Sequence, residues 1–499
     1  MTPVSVLIGL VLYFGMIYGI SYWATRQRRE GLGSFFLAQK QAPWWAVAFG
    51  MVGSSLSGVT FVSVPGDVGQ ELVKGTGILK QMGYIQLALG YALGYLVIAA
   101  VLLPLYYKHR YTSIYEYLSQ RFGTLTRKTG AFYFLLSRSL GAAARLYLAT
   151  GVLQHLIFEP MGVPYLLTAV VTLGIIILYT RQGGIQAIVW TDVLQTSVLL
   201  ISLGLTWFYL TRDMNLSNPV QAIGESPFGQ IFFWDATLPS YFWKQFWSGA
   251  FIAIVMSGLD QDMMQKNLSC RNLADAQKNM VSYGILLTVV NAIFVALGAL
   301  LYMYVAKNGL PMPEKADYLY PTLAFNHFGT LVGMAVLIGL IASALNAADG
   351  TLTALSTSIS VDFLGINPES ESKKSLNLVR NLQLGMGGVL LGMMIIFYLL
   401  GQSQWKGLNV ISLVLSMAGY TYGPLLGLYA WGMLTKIKVR DGWVTGVALA
   451  SPIICIILKM NEEAIFGIKL GYELLLINGG ITFAGIALGR VMKRPFIKF

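Results

Sequence analysis

Two aspartates and an arginine fall inside apolar stretches of this chain. They are Asp192 in GGIQAIVWTDVLQ, Asp349 in IASALNAADGTLTALST and Arg145 in SRSLGAAARLYLATG. Ionisable side chains in hydrocarbon are costly and tend to mark ion paths, proton relays or ligand counter-ions. Gln195 follows Asp192 by three residues and Asp349 follows Asn346 by three, so each carboxylate shares a helical face with an amide. Ser343, Asn346 and positions 347 and 350 are roughly stacked on one face. Such a face offers carbonyl, amide and carboxylate oxygens, the ligands a hard cation prefers. Three uses stay open for each carboxylate: coordinating a cation, coupling to a proton, or locking the bundle through an arginine or hydroxyl. Arg145 lies seven residues after Arg138, on the same face. It suits either a solute carboxylate or the neutralisation of Asp192 or Asp349. Arg138, nearer the end of the stretch, reads as a snorkelling side chain.

A second kind of chemistry comes from the backbone. Residues 50–65, GMVGSSLSGVTFVSVP, interrupt an apolar stretch with Gly50, Gly53, Gly58 and Pro65. Backbone groups freed inside a membrane must face protein, water or a ligand. Ser54, Ser55, Ser57 and Thr60 could join the freed carbonyls around a small cation or a polar solute. The alternative is close helix packing through small residues.

The elements that must hold these residues are apolar helices. Of 499 residues, 56% are hydrophobic and 11% charged, against about 25% charged in a soluble domain. Stretches near the roughly 20 residues that cross a bilayer recur to the C-terminus, which predicts an all-α polytopic membrane protein. The expected spans are 3–25, 44–69, 79–106, 129–157, 163–180, 185–210, 241–260, 281–306, 324–358, 378–400, 407–434, 441–459 and 471–489. Thirteen spans put the termini on opposite sides. With the N-terminus outside, 23 Lys and Arg, Lys266 among them, fall in cytoplasmic segments and nine on the other side. By the positive-inside rule the C-terminus is then cytoplasmic, and the net charge of +12 reflects orientation in a plasma membrane, expected to be a bacterial inner membrane. No nucleic-acid motif accompanies the basic loops, and no obligate protein partner is evident. Cys270 and Cys455 belong to no metal pattern and read as unpaired. His109, His155 and His327 are scattered and no catalytic motif occurs, so an enzyme is not expected. A channel would usually need several chains or a fourfold repeat around a pore, whereas paired broken helices favour alternating access.

Four segments in order, GSSLSGVTFVSVPG (53–66), GGIQAIVWTDVLQ (183–195), GLDQDMMQKNLSCRN (258–272) and ALNAADGTLTALSTSISVDFLG (344–365), resemble the sodium:solute symporter family of sodium-coupled glucose, proline, iodide and sialic acid carriers. The resemblance implies a LeuT-like core of two inverted five-helix repeats, 44–210 and 241–434, after an extra N-terminal helix at 3–25 and before two C-terminal helices within 441–489. It implies a solute between the interrupted helices 44–69 and 241–260 and their neighbours. Ser54, Ser55, Ser57, Thr60, Arg145, Asn409 and Tyr422 are the candidates to touch it. It also implies a sodium ion held by the carbonyls of Gly53 and Leu56 and by a carbonyl and two hydroxyls at 343, 346 and 347. Here those positions are Ser343, Asn346 and Ala347, so one side-chain oxygen is lost and another becomes an amide. A second sodium in some relatives lies between a carboxylate matching Asp192 and positions matching 349 and 350, here Asp349 and Gly350. One or two sodium ions are therefore expected, with proton coupling through either aspartate left open. The glucose carriers' glutamine has no clear counterpart in 408–427. The expectation is a sodium-coupled symporter importing a small polar, acidic organic solute; a proton-coupled symporter of the same fold, or an ion channel, are the alternatives.

Overall fold

Every expected span meets a helix in the computed structural model, which describes residues 3–26, 31–56, 58–70, 80–238, 240–313, 315–370, 372–403, 410–466, 471 and 473–491. Among the described residues there is no strand, only an isolated bridge between Ala42 and Cys270. Seven helices are long and apolar enough to cross a bilayer unaided: Val6–Thr25, Tyr84–His109, Gly183–Asp213, Leu273–Asn308, Gly329–Phe363, Lys373–Leu400 and Asp441–Met460. Trp44–Ser55 and Thr60–Asp67, bent by 59° at their break, make an eighth crossing if taken together. Tyr165–Arg181 and Leu474–Gly489 are apolar but shorter. Thr124–Leu153 is long enough, and its mid-helix Arg138 and Arg145 lower its apolar character.

Burial separates centre from periphery. In Gly329–Phe363, 78% of the most apolar window is buried, against 22% in Lys373–Leu400 and in Asp441–Met460. The outer helices turn Leu7, Val11, Leu399 and Ile453 outward, as a lipid-facing surface requires. The Gly329–Ser358 helix instead packs along Tyr165–Asp213 and also meets Thr124–Leu153, Lys373–Ser403 and Trp44–Ser55. Within Tyr165–Asp213 the chain turns at Gly184, whose φ of 53° lies in the left-handed region and whose absent side chain lets Phe35 pack against the turn.

Two helices are interrupted at the centre. The first stops at Ser55 and resumes at Gly58. Pro65 sits inside the resumed helix Gly58–Asp67, so the break belongs to the run of small residues and not to the proline. The second, Phe242–Ala253, continues through a π-helical turn at Ile254–Gly258 and is interrupted at Leu259 and Asp260. It restarts as the wholly buried helix Gln261–Leu268. Single π turns inside helices frequently accompany functional sites. Cys270 and Cys455 are buried and free.

Candidate ion and solute site

The first break faces the central helix. A Cβ at Gly53 would collide with Thr196 Oγ1 and Asn346 Nδ2. One at Gly58 would lie 3.7 Å from Ser343 Oγ on one side and 3.2 Å from Ala149 Cβ on the other. Leu56, at φ −78° and ψ 61°, leaves the helix while its N–H still reaches Val52 O at 2.8 Å. Gly53, Leu56, Ser343 and Asn346 therefore flank one small region. Ser343 Oγ is turned back to Leu340 O at 2.7 Å, and Ala347 carries no oxygen on its side chain. Three further oxygens on the facing helix, Asp192 Oδ1, Gln195 Oε1 and Thr196 Oγ1, are buried without a hydrogen-bond partner among the described residues. Their spacing places them on one face. Ser55 Oγ and the Tyr283 hydroxyl are 2.5 Å apart, and Thr60 Oγ1 donates to Ser55 O at 3.4 Å. Ser57 and Asn409 lie outside the described residues.

The two aspartates are separately held. Asp192 Oδ2 is 2.7 Å from Lys266 Nζ, which also donates to Ser54 Oγ at 2.6 Å. Ser54 Oγ in turn donates to Asn346 Oδ1 at 2.6 Å. Asp349 accepts from the Tyr179 hydroxyl at 2.9 Å and from the N–H of Gly350 at 2.6 Å. Gln195 Nε2 donates to the same Tyr179 hydroxyl at 3.4 Å. Neither aspartate pairs with an arginine among the described residues. Ser54, a candidate solute contact by sequence, is thus engaged with the charged cluster.

Two expectations about basic residues are corrected. Lys266 is no cytoplasmic loop residue: it is 2% exposed, on the buried helix Gln261–Leu268. Arg138 does not snorkel. It is buried and pairs with Asp262, and its Nη1 lies 3.8 Å from Asp260 Oδ2. Tyr422, another candidate solute contact, donates its hydroxyl to Asp260 Oδ2 at 2.5 Å and is buried. Thr351 Oγ1 donates to Asp262 at 3.0 Å. Asp260, Asp262 and Lys266 are the site residues that sequence reasoning missed. The available signal was the spacing of Asp262 and Lys266, four apart on one face, in a mostly polar segment.

Arg145 is different. It is half-buried and makes no hydrogen bond or ion pair with a described residue. Its helix presents Arg138 to the second broken helix and Ala149 to the first. Arg145 lies between them, one turn from Ala149 and two turns from Arg138 on that face. A guanidinium with five donors is thereby left uncommitted between the two interruptions.

The sequence profile of the sodium:solute symporter family matches residues 35–447. A sodium/sialic acid symporter of Aliivibrio fischeri is 24% identical, over 88% of this chain and 85% of its own. Sodium-coupled monocarboxylate transporter 1 of Xenopus laevis is 26% identical, over 88% of this chain and 69% of its own. The solved structure of a Na+-coupled sialic acid symporter, in a substrate-bound outward-open state, superposes with a TM-score of 0.80 at 18% identity. The match covers 99% of this chain and 98% of that one. At this identity the likeness shows the fold, which is LeuT-like.

Proposed function

Since the chain belongs to the sodium:solute symporter family, we propose that it is a sodium-coupled secondary active symporter that carries a small acidic organic solute by alternating access. The observation that carries the acidic solute is Arg145, half-buried and unpaired on the face turned to both helix breaks. Two relatives are named for carboxylated solutes, sialic acid and monocarboxylates, which agrees with that chemistry. Planar bidentate contact from arginine is well suited to a carboxylate.

Sodium is proposed beside the first break, among the carbonyls of Gly53, Leu56 and Ser343 and the amide oxygen of Asn346. The unpartnered hydroxyl of Thr196 supports this, because Thr196 abuts Gly53 and supplies an oxygen in place of the one missing at Ala347. Sodium held there would tie Trp44–Ser55 to the central helix and favour the conformation in which the two lie together. Its loss to a sodium-poor interior would release them. With the N-terminus outside and the C-terminus cytoplasmic, in a bacterial inner membrane, each inward charge gains about 2.3 kcal/mol per 100 mV. The division into inverted repeats at 44–210 and 241–434 is part of the same proposal.

A thermal-stability screen of the purified chain tests this, run over sugars, sialic acids, carboxylates and amino acids with and without sodium. Hits then go to uptake into reconstituted vesicles. The expected hit bears a carboxylate, stabilises more strongly with sodium and accumulates only under a sodium gradient. Uptake indifferent to sodium and driven by a proton gradient would sink the proposal.

A further inference from the structure

We propose that the Lys266 ammonium is a built-in cation that fills the acidic cluster at the centre of the molecule. On this view the cluster takes no sodium ion, and the carrier cotransports one sodium at most, beside the break at Leu56. The inference rests on reading the chain as a cation-coupled carrier and specifies how many ions it moves.

Three elements bring carboxylates to one place: Asp192 from Tyr165–Asp213, Asp349 from Gly329–Ser358 and Asp262 from Gln261–Leu268. All three act electrostatically on Lys266. Its Nζ lies 2.7 Å from Asp192 Oδ2 and 2.6 Å from Ser54 Oγ. Those two oxygens are what a small hard cation entering the cluster would seek, and an ion seated on both would need the volume the ammonium already fills. Two cations side by side in a site closed to water repel strongly, so the lysine excludes the ion as well as replacing it.

The lysine has no route out. Every residue of Gln261–Leu268 is buried, and the helix is tied along its length. Gln261 donates to Thr112 O at 2.8 Å and accepts from Ile114 N at 2.9 Å. Gln265 donates to Phe36 O at 2.8 Å. The Tyr115 hydroxyl reaches Leu259 O at 3.1 Å, and that of Tyr107 reaches Asn267 O at 2.9 Å. A stem fixed in this way cannot carry its charge to a membrane surface. Gly350 supplies the space, because a Cβ there would lie 3.0 Å from both Cε and Nζ of Lys266 and collide with Asp262 Oδ1.

Equilibrium binding of radioactive sodium to the purified full-length chain in detergent tests the inference without knowledge of the solute. The wild-type chain is expected to saturate at one sodium and Lys266→Ala at two, the added site disappearing in Lys266→Ala/Asp192→Asn. Should the alanine variant fail to fold, Lys266→Gln keeps most of the stem, removes the charge and carries the same expectation. Saturation of the wild type at two ions overturns the inference, as does a folded Lys266 variant that binds no more sodium than the wild type. No sodium in the wild type and one in the Lys266 variant would uphold the built-in cation while defeating sodium symport.

Discussion

Arg145 and Asp192 are both intramembrane charges, and their partners give them different roles. Arg145 forms no hydrogen bond or ion pair with a described residue and feels Arg138, Asp260 and Asp262 only at longer range, so Arg145→Ala should chiefly remove a contact made with solute. A hydrogen bond to a charged group contributes about 1.5–3 kcal/mol, so apparent affinity for an acidic solute should fall roughly 10- to 150-fold, with thermal stability nearly unchanged. Unaltered affinity for every acidic solute, measured by uptake competition, would exclude Arg145 from the site. Asp192 belongs to a buried ion pair, and removing one partner of such a pair costs about 3–5 kcal/mol. Asp192→Asn should therefore lower the unfolding temperature more than Asp349→Asn, whose hydrogen-bond partners are a hydroxyl and a backbone N–H and which feels the Lys266 charge without direct contact. Equal shifts in thermal unfolding would contradict that ordering. These three residues were legible in the sequence because charge inside an apolar stretch stands out. Lys266 was not, because it follows the apolar stretch among polar residues, where hydropathy reads an exit to water. Only the folded chain carries that polar segment back into the core.

The interrupted helices were legible at lower resolution. Glycines and small polar residues announced the first break, and each of the thirteen apolar stretches overlaps a helix, 163–180 and 185–210 sharing Tyr165–Asp213. What the sequence could not resolve was which breaker acts. Pro65 is accommodated within Gly58–Asp67, while the chain departs from helical geometry at Leu56. The second interruption was expected to end the span near residue 260, yet the chain turns into another helix whose polar groups are satisfied by tyrosines, glutamines and backbone of neighbouring segments. Such long-range pairing leaves no local pattern. The close approach of Trp44–Ser55 to its neighbours makes a specific demand at Gly53. Gly53→Ala would press a methyl group into Thr196 and Asn346, an overpacking that typically costs about 1–3 kcal/mol. It should also raise the sodium concentration needed for half-maximal uptake. Gly141→Ala, with nothing within 4 Å, serves as the matched control. Identical sodium dependence in the two variants would separate Gly53 from the ion position.

For the whole molecule, the distribution of positive charge supports the proposed orientation, since moving Lys266 into the core still leaves 22 basic residues on the proposed cytoplasmic side against nine. The two native cysteines are buried, so engineered cysteines can report topology with little background. Val220 is 72% exposed in the short helix Pro219–Glu225, and Lys438 is exposed in the segment after Leu434. A membrane-impermeant maleimide should label Val220→Cys on intact cells and Lys438→Cys only after permeabilisation; the reverse pattern would invert the proposed topology. The glycine at 350 also bears on how a chain of this kind can change over generations. Gaining a serine there would press a Cβ into Asp262 Oδ1 and to 3.0 Å from Cε and Nζ of Lys266, so the change demands that both partners shift. Losing the lysine relieves the two longer contacts and frees Asp262 of one cationic neighbour, but the Asp262 carboxylate must still turn aside before a side chain fits at 350. Positions 262, 266 and 350 are thus epistatic, and a lineage that gains a side chain at 350 must also rearrange the two charges facing it.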